Sequence, residues 1–294
     1  MKIHLVDGTY ELFRAHFGAP PKKAPDGMEI GATLGLVRSM MLLLSDPQVT
    51  HVAVAFDHVI ESFRNKMYAG YKSSEGVDPI ILNQFPLAEK LVSALGLVVW
   101  PQVKFEADDA IAAAVAKFKK VKSVEQIVIC SVDKDLTQMV EGDRVICWDR
   151  RREIILNEQG VTEKFGVGPG SIPDFLALVG DSADGYPGVQ GWGEKSTATV
   201  LSKYKHIESI PSDPTKLGLG LGRATTLLDN LQKNYQDALL FRELSTLRTD
   251  VPLKETLADL KWVGAYPRLK KVCKELGEER IPERITKWRV GDKM

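Results

Sequence analysis

Three short apolar runs in this chain each lead to an aspartate: Leu5-Val6-Asp7, Val54-Ala55-Phe56-Asp57 and Cys130-Ser131-Val132-Asp133. Continuous apolar runs suit strands covered on both faces, the environment of a parallel sheet. Ile3–Val6, His51–Phe56, Leu97–Trp100 and Gln126–Cys130 read as strands, with helical patterns between them at Ala32–Leu44, Phe85–Leu95 and Asp108–Lys119. This alternation is α/β architecture. Sites in such sheets lie beyond the carboxyl ends of the strands. If the three strands are neighbours, their aspartates converge. One such Asp is commonplace, because Asp caps the helix that often follows; three are harder to set aside.

More acids gather around these. Glu106 and Asp109 open a helix three residues apart and share a face, with Asp108 beside them. First-turn charge on a helix dipole is the plain alternative. Asp133 and Asp135 flank Lys134, and Asp181 and Asp184 lie in the run Gly180–Gly185. Crowded carboxylates raise one another's pKa and destabilise a fold unless a cation offsets them. Hard oxygen ligands with no histidine among them suit Mg²⁺ or Mn²⁺ rather than zinc. Two such ions about 3.5–4 Å apart can activate water and stabilise the leaving oxygen in phosphodiester hydrolysis.

The texture changes near Phe165. Residues 166 to about 204 are rich in glycine, with Pro169, Pro173 and Pro187 as breakers, and read as two helices around a tight hairpin. Pro211–Gly222 reads as a loop, Arg223–Arg242 as one helix, and Asp259–Gly277 as a short strand and a helix (Pro267–Leu276). In the hairpin, Gly188, Gly191 and Gly193 let the backbone approach a ligand closely. Lys195 and Ser196 follow at the start of a helix whose amides can face phosphate. The spacing resembles the Gly-Val-x-Gly-x-Gly hairpin of helix–hairpin–helix DNA-binding units, which grip backbone phosphates without reading bases. A dinucleotide-binding reading is weak, since no apolar strand precedes these glycines.

Charge gives no help: 39 Lys and Arg balance 39 Asp and Glu, so a nucleic-acid enzyme of this composition must segregate its charges. Cys130, Cys147 and Cys273 form no CxxC pattern and read as buried reduced thiols. No apolar run is long enough to span a bilayer, and Met1–Asp7 lacks the features of a signal peptide, so the expected location is cytoplasmic.

Taken together, the motifs resemble those of the 5′-nuclease family, which comprises flap endonucleases, phage 5′-exonucleases and the 5′–3′ exonuclease domain of bacterial DNA polymerase I. The residues that carry the resemblance are Leu5-Val6-Asp7-Gly8, Phe56-Asp57, Ser62-Phe63-Arg64, Tyr71-Lys72, Glu106-Ala107-Asp108-Asp109, Asp133-Lys134-Asp135-Leu136, Gly180-Asp181-Ser182-Ala183-Asp184, Gly188–Lys195 and Arg248–Leu253. The resemblance implies a parallel-sheet PIN-like nuclease core at 1–165, with an arch at about 61–87 for a single-stranded 5′ end. It also implies a helix–hairpin–helix (helix-3-turn-helix) DNA-binding subdomain at 166–245, and a C-terminal segment, 246–294, packing back on the core.

By that resemblance Asp7, Asp57, Glu106 and Asp108 bind a first Mg²⁺ and Asp133, Asp135, Asp181 and Asp184 a second, with Asp109 beside both and Mn²⁺ able to substitute. Arg64 and Lys72 contact the scissile phosphate, Tyr71 stacks on a base, Arg14 meets substrate, and the hairpin carbonyls bind K⁺. The implied activity is structure-specific 5′–3′ exonuclease and flap endonuclease hydrolysis in replication and repair. The implied partners are 5′-flap, junction and nicked DNA and an RNA primer–DNA hybrid, met by a monomer. One departure stands out: Glu75 occupies a place where bacterial members often carry Arg, and Asp78 and Glu89 add acid nearby. Weaker capture of a 5′ strand and steeper salt sensitivity are expected from it. A PIN-type ribonuclease and a catalytically weak DNA-junction binding protein are the competing readings.

Overall fold

The computed structural model describes residues 1–291; the last three residues of the expected C-terminal segment lie outside the described residues. In chain order the elements are β1 (Lys2–Asp7), α1 (Gly8–Gly18), α2 (Gly31–Leu44), β2 (His51–Asp57), α3 (Pro79–Leu82), α4 (Phe85–Ala94), β3 (Val98–Gln102), α5 (Ala107–Phe118) and β4 (Gln126–Cys130). They continue with β5 (Val145–Asp149), β6 (Ile154–Leu156), α6 (Glu158–Phe165), α7 (Ile172–Val179), α8 (Glu194–Tyr204), α9 (Leu221–Lys233), α10 (Tyr235–Ser245), α11 (Arg268–Glu275) and α12 (Arg280–Glu283).

These elements form two compact units. The first contains Met1–Ile60, Ser74–Ser131 and Thr249 onward, and the second Glu61–Ser73 and Val132–Arg248. The expected arch, 61–87, is therefore shared out: 61–73 belongs to the second unit and 74–87 to the first.

In the first unit the strands run parallel in the order β3-β2-β1-β4. Ile3, Leu5 and Val6 in β1 and Val52 to Phe56 in β2 are fully buried, which explains why neither strand alternates with polar residues. Small side chains let α5 lie close on the sheet: Ala110, Ala112 and Ala114 have no exposed surface. Gly8 is required where β1 turns into α1, because a Cβ there would sit 2.6 Å from the Phe56 ring and 2.7 Å from the Ala55 carbonyl oxygen. The expected strand near Asp259 does not form. Only an isolated bridge, His51 to Lys261, ties that stretch to the start of β2. The helix expected at Pro267–Leu276 is α11, whose Leu269, Val272 and Cys273 face inward.

In the second unit β5 and β6 make an antiparallel hairpin. The single helix expected over Arg223–Arg242 is two, broken at Asn234, whose ψ of 27° leaves the helical range. Leu227, Leu231, Ala238 and Phe241 keep helical spacing through the break, so the apolar stripe does not reveal it. Gly188 closes the glycine hairpin at φ +71°, where a Cβ would stand 2.3 Å from the Gly180 nitrogen. Among the described residues no helix is long and apolar enough to cross a membrane. All three cysteines are free and buried.

Candidate active site

The acids of the first unit stand at the carboxyl edge of the sheet, and main-chain groups hold them there. Asp7 caps α1, accepting from the Tyr10 amide at 2.8 Å through Oδ1, while its Oδ2 accepts from Ser131 Oγ at 2.8 Å. Asp57 Oδ1 accepts from the Ala107 amide at 2.7 Å, which ties the end of β2 to the start of α5. The Asp57 amide in turn donates to Thr9 Oγ1 at 2.8 Å. Glu106 is buried at the N-cap of α5 in a reciprocal capping box with Asp109, whose Oδ2 accepts from the Glu106 amide at 3.0 Å. Asp109 is fully buried in that capping role, and Asp108 is half-exposed beside it. β1 and β2 are adjacent, with Asp7 in register with Ala55, and β4 flanks β1 on the other side. The strands of the three sequence acids are therefore neighbours, as expected.

The second unit arranges its acids differently. Asp135, Asp181 and Asp184 are all buried, and one carboxylate oxygen from each lies within 4.8 Å of the others. Asp133 is exposed and accepts from the Asp135 amide at 2.8 Å. Two lysines offset part of the charge: Lys72 Nζ is 2.9 Å from Asp184 and Lys134 Nζ is 2.8 Å from Asp181. Burial opposes the charge on Lys134, but the hydrogen bond to Asp181 and the nearby Asp135 and Asp133 outweigh it and raise its pKa. Burial pushes the Asp135 carboxyl well above its ordinary value, and Asp133, Asp184 and Asp181 push it further.

Asp135 Oδ1 is buried without a hydrogen-bond partner. An orphan buried carboxylate oxygen facing two more carboxylates fits a divalent cation, and the all-oxygen donor set is that of a hard ion. The sequence showed these acids but not their lysine partners, nor Ser131 and Thr9. Lys134 lay within a quoted motif, and Ser131 between a strand and its acid.

The other expected residues are placed as follows. Arg64 is buried, donating from Nε to the Leu244 carbonyl at 2.7 Å and from Nη2 to the Thr246 carbonyl at 3.2 Å. It is spent on the end of α10. Tyr71 is also buried, so its ring is packed within the second unit and not presented for stacking. Lys72 lies over that ring, 5.5 Å from its centre. Arg14 bonds Glu11 and, at 3.2 Å, Ser39 Oγ. Glu75 is exposed. Asp78 caps α3 and lies 3.7 Å from His16, and Glu89 pairs with His58 at 2.9 Å.

The glycine hairpin joins α7 to α8. Trp192 anchors it, buried and donating from Nε1 to the Leu227 carbonyl at 3.0 Å. Asn230 takes the Gln190 carbonyl at 2.9 Å. Gly191, Gly193 and Lys195 are exposed at the start of α8, Gly188 is half-buried, and buried Ser196 closes the turn on the Gly193 carbonyl at 3.0 Å.

A parallel sheet with acids along its carboxyl edge, and a helical unit with an acid triad and a glycine hairpin, define a nuclease in two parts. Residues 2–166 match the 5′–3′ exonuclease N-terminal resolvase-like domain and residues 167–268 the 5′–3′ exonuclease C-terminal SAM fold. The chain belongs to the 5′–3′ exonuclease family.

It is 29% identical over 287 residues to a 5′–3′ exonuclease of Aquifex aeolicus, covering 97% of this chain and 95% of that one. It is 34% identical over 260 residues to the DNA polymerase I of Rhizobium leguminosarum, covering 85% of this chain but only 25% of the polymerase. In fold it is similar to the T5 D15 protein co-crystallised with metal ions (TM-score 0.66, 16% identity, 97% of both chains). It is also similar to the catalytic core of Rad2 in complex with DNA substrate (TM-score 0.62, 14% identity, 97% of this chain and 91% of that one).

Proposed function

We propose that this nuclease is a divalent-metal-dependent, structure-specific 5′ nuclease. It hydrolyses DNA phosphodiesters near single-strand/duplex junctions and leaves 5′-phosphate and 3′-hydroxyl ends. The observation that carries the reading is the buried Asp135–Asp181–Asp184 triad with its unpartnered oxygen, in a chain of this family. Asp133, Asp135, Asp181 and Asp184 hold one Mg²⁺, with Mn²⁺ able to replace it; Asp7, Asp57, Glu106 and Asp108 hold another. Ions so held supply a hydroxide at neutral pH and stabilise the leaving oxygen.

The chain's own groups do the rest. Ser131 and the Ala107 amide fix the orientation of Asp7 and Asp57, so these ligands meet an ion with little rearrangement. Lys72 and Lys134 lower the cost of gathering the second set of acids, and Lys72, released from Asp184 by a cation, turns to the scissile phosphate. Arg64 acts indirectly, by holding the end of α10. The amides at the start of α8, with Lys195, take backbone phosphates of the duplex. Support for a DNA substrate comes from Rad2, similar in fold and solved with DNA substrate, and from the T5 D15 flap endonuclease, solved in a pseudo-enzyme-product complex with DNA and metal ions.

The test is an end-labelled 5′-flap duplex incubated with Mg²⁺ or EDTA beside single-stranded RNA and blunt duplex. Metal-dependent cutting at the flap junction is expected. Preferential cutting of RNA would replace the reading with a ribonuclease. Tight flap binding without turnover would make the protein a junction binder.

A further inference from the structure

Asp135 Oδ1 is one of two unpartnered polar atoms buried in this part of the second unit; the Tyr186 hydroxyl is the other. Buried polar atoms without partners are rare in native proteins, and two near one another call for a shared bridging group.

Tyr186 is held from two sides. Its ring stacks on Phe241, centroids 5.4 Å apart at 20°, and Tyr68 meets Phe241 edge-on at 5.7 Å. Its main chain pairs with Asp181, the Tyr186 amide donating to the Asp181 carbonyl at 3.1 Å and the Asp181 amide to the Tyr186 carbonyl at 2.9 Å. With Gly180, Asp181 and Ser182 it lines a cavity of about 400 Å³. The hydroxyl lies beside Ser245 but makes no well-formed hydrogen bond with it. Ser245 Oγ is already turned to the Pro173 and Arg242 carbonyls, both at 3.1 Å. Burial, then the charges of Asp135, Asp184 and Asp181, push the phenol far above its ordinary pKa. It therefore stays protonated and can only serve these carboxylates as a donor.

We propose that Tyr186 is a positioning residue of the second acid set, its hydroxyl donating to a water or metal-bound oxygen shared with Asp135. The inference rests on the metal reading above. A phenol with a locked ring orients that oxygen, as outer-shell donors do around other bound ions.

The test compares the full chain with Tyr186→Phe, Asp135→Asn and the double variant, with Mn²⁺ as the probe, by calorimetry and by thermal unfolding with and without the ion. Phe keeps the stack on Phe241, so the metal-free melting temperature should hold or rise as an unpartnered donor is removed. The Mn²⁺ dissociation constant of the site lost in Asp135→Asn should rise about tenfold in Tyr186→Phe, the scale of losing an outer-shell partner. The double variant should bind no more weakly than Asp135→Asn alone. Affinity within about twofold of the parent chain would overturn the inference while leaving the metal site standing. A parent chain that binds no Mn²⁺ would overturn both.

Discussion

The two units hold their acids in opposite ways. In the first, hydrogen bonds anchor them: Asp7 takes an amide and a hydroxyl, Asp57 an amide, and Asp109 an amide. These acids have structural work whether or not an ion is present. In the second, Asp135, Asp181 and Asp184 crowd one another, lean on Lys72 and Lys134, and leave an oxygen unpartnered. The first set is preorganised. The second is under electrostatic tension that a cation relieves, so the same residue type should answer differently to mutation in the two places.

The largest difference to look for is in turnover. Both Asp7→Asn and Asp135→Asn should cut flap cleavage in Mg²⁺ by more than about a hundredfold, beyond the cost of losing an outer-shell partner. If only one did so, the two sets would not both serve the chemistry. Next comes the ion itself. Mg²⁺ at about 100 times its dissociation constant should add roughly 2.7 kcal/mol to the stability of the folded chain. The rise in melting temperature should shrink in Asp135→Asn, and EDTA should abolish it in the parent; no rise in either would mean the triad holds no ion.

Third, without metal the two aspartates should diverge. Asp7→Ala loses a helix cap, about 1 kcal/mol, and orphans Ser131 at a cost of about 1–3 kcal/mol. Asp135→Asn removes a buried like charge, so stability should hold or rise. Equal destabilisation in chemical denaturation would break the comparison.

The smallest effect is a control on a third kind of acid. Glu278 is buried in the first unit, and although burial opposes its charge, Lys22 at 2.6 Å and Arg38 at 3.3 Å hold its pKa below the ordinary value of 4.5. A depressed carboxyl contributes stability that is fully present above its unfolded pKa and lost as pH falls through the folded one. Glu278→Gln should therefore flatten the loss of stability below about pH 4.5, seen as a shallower acid limb in denaturation, while leaving metal binding unchanged.

The sheet was legible because burial on both faces writes itself as unbroken apolar runs, as in Val52–Phe56. α1 was not singled out: its sequence mixes Gly8, Thr9 and Tyr10 with a charged face, and the turn into it depends on the fit of Gly8 against Phe56. The β5–β6 hairpin was also missed, since Ile154 and Ile155 are exposed and the pair is short. The acids could be read because strand ends and helix starts are local patterns. Their partners could not: Lys72 meets Asp184 across 112 residues of chain, and the burial of Arg64 and Tyr71 depends on segments as distant as Leu244. Motifs name the residues of a site, and only the fold says which of them face outward.

The interleaving of the units also bears on how the chain is made. β2, at residues 51–57, takes the Leu260 carbonyl at its Val52 amide, and the Thr50 carbonyl accepts from Trp262. Those partners leave the ribosome roughly 200 residues later, about 10–40 s at ordinary translation rates. The second unit likewise begins with Glu61–Ser73 and waits for Val132–Arg248. Neither unit can close on a half-made chain. The nascent protein carries an uncovered sheet edge for most of its synthesis, and its need for chaperone shelter peaks just before the last fifth of the chain emerges.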